Sequence, residues 1–249
     1  MSAIFFKELK DVRLLCYVVL ASTIAAMMLP TDYARVWGVF LAYFLLPMMC
    51  AFLGSRILSA DLSDEQLPFI LTLPMSRTQL WTAKAGAGLL LTLAVTGAGT
   101  LAMAVCMPWR SCTDSRFVEI AVITTLAYFL VYALAATLSV VFDRPLTGAF
   151  LAYSAGVLGF LVNLMVIEKH MPWTLRRHME SEVLAGLILI LVCALLRGSL
   201  YVFQSADLMD RADRMKRALW VAGAIVLAFE GSLAAYAWIL TCAVRGFGG

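Results

Sequence analysis

The chain is 249 residues long, 63% hydrophobic and 14% charged, with a formal net charge of +3 and a mean hydropathy of +0.90. This composition excludes a water-solvated fold for most of the sequence and makes lipid the solvent of its side chains. So small a positive charge gives no reason to expect a nucleic-acid partner.

Residues 1–13 set Ile4, Phe5, Phe6 and Leu9 against Lys7, Glu8, Lys10 and Asp11. That spacing predicts an amphipathic helix lying on the membrane surface. Seven apolar runs follow, at Leu14–Pro30, Val36–Leu58, Ala85–Met107, Phe117–Phe142, Gly148–Ile167, Val183–Phe203 and Ala218–Val244. Each has about the 20 residues that carry a helix across some 30 Å of hydrocarbon. The first reads as a span rather than a signal peptide, because no small-x-small cleavage site follows it. The runs are continuously apolar rather than alternating, so the expected class is an all-α, polytopic helical membrane protein and not a β-barrel. The sixth run is interrupted by Arg197; were it interfacial, the spans would number six and the C-terminus would change sides.

With the N-terminus inside, Lys7, Lys10, Arg13, Arg56, Arg77, Lys84, Arg144, Arg197, Arg211, Arg214, Lys216 and Arg217 are inner residues. Arg35, Arg110, Arg116, Lys169, Arg176, Arg177 and Arg245 are outer ones. The excess of basic residues on the first set predicts a cytoplasmic N-terminus. Loops are short, so the chain is expected to be one membrane domain. It holds no phosphate loop of the G-x-x-x-x-G-K-S/T type, so ATP-driven chemistry would belong to a partner.

Between the second and third runs, Asp61 to Lys84 reads DLSDEQLPFILTLPMSRTQLWTAK. Ser63 with Gln66 and Ser76 with Gln79 match the capping-box spacing, so two short helices are expected, the second continuing into the membrane. Pro74 separates them. Leu67, Phe69, Ile70, Leu71 and Leu73 form an apolar patch, either sunk in the lipid interface or offered to a groove on a partner.

This segment resembles the coupling region of the ABC type-2 permease family, the membrane subunits of ATP-driven exporters. The features that carry the resemblance are an acidic Asp64 or Glu65, the apolar stretch Phe69 to Leu73, the order Leu71, Pro74, Ser76, Arg77, and Lys84 at the start of the third span. The layout is similar too, with a surface helix at 1–13, the loop at 61–84 and an outer segment at 168–182; residues 218–244 add a span to the usual six, and the small-Thr pair that often precedes the apolar stretch is absent. The resemblance implies a permease subunit without catalytic residues, working with an ABC ATPase subunit and a second permease copy or paralogue. ATP and magnesium would sit on the ATPase, and the setting would be a bacterial plasma membrane.

Other residues carry weaker chemistry. Glu230 in the last run and Asn163 in the fifth are intramembrane polar groups expected to face protein. Asp207, Asp210 and Asp213 suggest an alternative, an intramembrane enzyme holding magnesium and a prenyl or lipid diphosphate. Interleaved with Arg211, Arg214, Lys216 and Arg217, they also read as a solvated helix. The cysteines at 16, 50, 106, 112, 193 and 242 contain no C-x-x-C pair and read as small apolar residues. Met107, Cys112, His170, Met171, His178 and Met179 could suit a soft metal, but methionines of an apolar chain usually fill space.

Overall fold

The computed structural model describes residues 17–18, 21–22, 25, 33, 40, 44–59, 76–106, 115–139, 146–156, 181–204 and 211–246. Among them there are helices and no strand, as lipid requires of a backbone that must satisfy its own hydrogen bonds. We number the helices α1 (Leu46–Ser59), α2 (Arg77–Cys106), α3 (Ser115–Leu138), α4 (146–156), α5 (Ser181–Gln204) and α6 (Arg211–Gly246). Three stretches among the described residues are long and apolar enough to cross a membrane: Arg77–Thr100, Ala121–Leu138 and Ala185–Gln204. The first run lies largely outside the described residues and the segment 1–13 wholly so, whereas most of the second run is described and forms α1.

α2 begins at Arg77, eight residues before the apolar run at Ala85, and continues into that run, as the capping box at Ser76 predicts. The fourth run was expected to reach Phe142, but α3 stops at Leu138 with a turn at Ser139. There the Ser139 amide makes a last bond to the Ala135 carbonyl (2.8 Å), and its hydroxyl takes the Ala136 carbonyl (2.7 Å). Arg197 does not break α5, which runs unbroken from Ser181 to Gln204 with the arginine exposed on its flank.

α3 is the hub, in contact with α1, α2, α5 and α6, most extensively with α1 and α5. Its interior face is built of small residues and hydroxyls. Ala133, Ala135, Ala136, Thr137 and Tyr132 are all essentially inaccessible. Small side chains let helix backbones approach, which in lipid replaces the hydrophobic drive that water would supply. Gly54 of α1 is the clearest instance: a Cβ there would collide with the Tyr132 carbonyl oxygen and with Ala135. Likewise a Cβ at Gly99 of α2 would strike Leu46 of α1. The end of α2 therefore lies beside the start of α1, and the two run antiparallel. α4 follows the same rule, burying Ala149 and Ala152 against Ala51 and Ala135 while exposing Leu146, Phe150 and Leu151.

Candidate functional site

The head of α2, where the loop 61–84 enters the bundle, concentrates the polar contacts between helices. Its start is the expected capping box. The Ser76 amide donates to Gln79 Oε1 (3.1 Å), and the Gln79 amide donates to Ser76 Oγ (3.2 Å). Two backbone donors that a helix start leaves orphaned are thereby satisfied.

The next residues reach across the bundle. Arg77 Nη1 donates to the backbone oxygen of Gln204 (3.2 Å), the last residue of α5. The Gln204 side chain answers, its Nε2 donating to Thr78 Oγ1 (2.9 Å). A guanidinium on a terminal carbonyl meets the negative end of the helix dipole, so Arg77 acts as a cap for α5 supplied by α2. These groups are at least partly exposed, and each bond contributes about 1 kcal/mol or less. Their importance is geometric: the start of α2 and the end of α5 are held together at two points.

One to three turns further on, α2 enters the interior. Trp81 and Lys84 are both buried. Lys84 was expected at the start of the span; it sits instead about two turns inside the helix, because α2 starts at Arg77. Tyr132 of α3 donates its hydroxyl to the Ala85 carbonyl of α2 (2.9 Å). Its ring fills the space over Gly88, where any Cβ would collide with the Tyr132 hydroxyl and ring. Since Gly54 of α1 abuts the same tyrosine's backbone, Tyr132 is the wedge at which α1, α2 and α3 meet. A similar bond joins α3 to α5, from Thr137 Oγ1 to the Leu195 carbonyl (3.2 Å) as well as to Ala133 (2.9 Å).

Most buried hydroxyls of the bundle bond back to a carbonyl three or four residues earlier, as Ser55, Thr96, Ser139 and Ser199 do. Among the described residues, Trp81 Nε1 and Thr92 Oγ1 are buried with no hydrogen-bond partner. Eleven positions apart, they lie within about 20° of one face of α2.

Of the other residues singled out in the sequence, Asp64, Glu65, Phe69, Leu71 and Pro74 lie outside the described residues, as do Asn163, Asp207, Asp210, His170 and His178. Glu230 is half-buried on the flank of α6. Asp213 is exposed on the first turn of α6, with Lys216 Nζ 3.9 Å from its Oδ1. Among the described residues no three His, Cys, Asp or Glu side chains gather as metal ligands would. Cys50 and Cys193 are free thiols, the first buried and the second exposed.

Every Lys or Arg whose side chain is described lies toward the end of the bundle where α2 begins. These are Arg56 in the last turn of α1, Arg77 and Lys84 on α2, Arg197 on α5, and Lys216 and Arg217 on α6. The residues that sequence reasoning passed over are Thr78, Gln204 and Tyr132. A signal existed for the tyrosine, since a phenol inside an apolar run needs a hydrogen-bond partner. None existed for Gln204, whose role depends on a residue more than a hundred positions away. Comparison of the chain with protein-family models, curated proteins and solved structures finds no match.

Proposed function

We propose that the chain is the membrane subunit of an ABC-type exporter, with the loop 61–84 as its docking element for a separate ATPase. The observation that supports this reading is the double tie between the head of α2 and the tail of α5 through Arg77, Thr78 and Gln204. A docking element is useful only if its displacement reaches more than the helix to which it is attached. A push on this loop enters α2 through a capped, non-fraying start, reaches α5 through the tie, and reaches α1 and α3 through the Tyr132 wedge. Such a set of packed helices shifts together rather than bending locally.

In this reading the N-terminus and the loop are cytoplasmic, in accord with the basic residues gathered at that end of the bundle. ATP and magnesium reside on the ATPase, and a second permease copy or paralogue completes the pathway. The apolar anchors Phe69 and Leu71 seat in a groove of the ATPase, with Asp64 and Glu65 setting register from the rim and Arg77 holding the head of α2 to α5. Buried apolar anchors carry most of such an affinity, typically more than about 1 kcal/mol each, and rim charges carry less.

Copurification tests the reading. The wild-type chain is expected to bring down an ATPase with a phosphate loop, and Phe69→Ala combined with Leu71→Ala is expected to release it, or to uncouple its hydrolysis, while membrane insertion is unchanged. Arg77→Ala should do so more mildly. A double variant that binds the ATPase and supports transport at the wild-type rate would overturn the proposal.

A further inference from the structure

The outward stripe of α6 carries a pattern that the exporter reading does not use. At 100° per residue, Lys216, Arg217, Trp220, Leu227 and Trp238 fall on one face, and all are exposed. The opposite face buries Ala218 and Ala222. Trp220 (78% exposed) and Trp238 (72% exposed) are 18 residues apart, about 27 Å along the axis. That is close to the roughly 30 Å of a hydrocarbon core, whose two boundaries are where tryptophan concentrates. A second exposed aromatic, Tyr201 of α5, stands near the level of Trp220, because Gly198 of α5 packs against Val221. Rings so placed suit a membrane boundary, and on α6 the basic residues begin one turn beyond it.

We propose that the first two turns of α6 bind the headgroups of anionic phospholipids, with Trp220 at the level where headgroups meet acyl chains. Lys216 and Arg217 are exposed, and Arg211 and Arg214 belong to the same seven residues, which hold one acidic residue, Asp213, with Asp207 and Asp210 preceding them, so four basic residues stand against three acidic ones. The Asp213–Lys216 contact, at 3.9 Å and largely in solvent, is weak enough for a phosphate to compete with. The occupant is a lipid surface rather than an acidic protein because the exposed basic pair continues directly into a lipid-facing stripe. A soluble partner would reach Lys216 and Arg217 but not Leu227 or Trp238. Each basic residue near an anionic surface strengthens association about fivefold.

The full chain in phosphatidylcholine vesicles containing phosphatidylglycerol tests this, with bromine placed on the acyl chains of one lipid or the other at the same mole fraction. The Trp220 contribution is the difference in quenching between wild type and Trp220→Phe. Brominated phosphatidylglycerol is expected to quench Trp220 more than brominated phosphatidylcholine does. The excess should vanish in Lys216→Gln/Arg217→Gln and persist in the charge-conserving Lys216→Arg/Arg217→Lys, while quenching of the remaining tryptophans reports that each variant is inserted. Equal quenching of Trp220 by the two lipids, or an excess that survives loss of both charges, would overturn the proposal. So would quenching by neither lipid, which would mean that protein covers this face.

Discussion

α3 and α6 are both apolar helices, yet they occupy opposite environments. In α3 every described residue from Tyr132 to Ser139 except Leu134 is buried, and α1, α2, α4, α5 and α6 all press on it. In α6 no described side chain beyond Ala222 is buried, and contact is mainly with α5. The interior of α3 is mainly alanine, threonine and two tyrosines, Tyr128 and Tyr132, whereas the surface of α6 is leucine, valine and tryptophan. Water would demand the reverse, but lipid is as apolar as leucine, so transferring a large side chain from lipid to protein gains little. Burial is decided instead by close approach and by hydrogen bonds that lipid cannot make.

Adding bulk should expose this contrast most strongly. Gly54→Leu places a side chain against the Tyr132 backbone oxygen, which cannot move aside, and should cost about 3 kcal/mol or more. Gly231→Leu, on the open face of α6, should leave stability unchanged. Thermal unfolding of the two purified variants in one detergent measures the difference, and equal losses would break the comparison.

Removing bulk should act in the same direction more weakly. Leu195 of α5 is inaccessible against α3, so Leu195→Ala forfeits close contacts and should cost about 2 kcal/mol. Leu227→Ala on the lipid face should cost less than about 0.5 kcal/mol. Chemical denaturation in mixed micelles reads both values.

Hydrogen bonds come next. Tyr132→Phe keeps the wedge but deletes the bond to Ala85, and interhelical bonds in membranes average about 0.6 kcal/mol with a maximum near 1.7. A loss of about 1 kcal/mol is expected, with the ring packing intact. The smallest effect on stability belongs to Arg77→Ala, about 0.5 kcal/mol from a partly exposed tie. Its signature is local: amide exchange in the last turn of α5 should rise while that of α3 does not. An unchanged last turn would mean that the two helix ends are joined by packing alone.

The head of α2 divides what could be read in advance from what could not. Ser76 and Gln79 were legible as a capping box because the partners are three residues apart, within the reach of a single turn, and the structure forms both bonds. The same turn carries Arg77 and Thr78, whose partner Gln204 lies 127 and 126 residues further along the chain. Nothing in the local spelling distinguishes this arginine from Arg197, which is exposed on α5. Hydropathy placed the third and fourth apolar runs to within a few turns, and the start of α2, which hydropathy does not mark, was legible from its capping box.

The sequence by itself determined that this chain is apolar enough for lipid and that its backbone is helical in the described residues. Each of these follows from partition between water and hydrocarbon, a property summed over a segment and indifferent to which face of a helix a residue occupies. The tertiary structure alone decided which faces meet. Tyr132 became the wedge between Gly54 and Gly88, Arg77 became the cap of α5, and Trp220 and Trp238 were left outward. Those choices rest on shape and on hydrogen bonds between distant segments, and in a solvent as apolar as the side chains themselves, hydropathy carries no record of them.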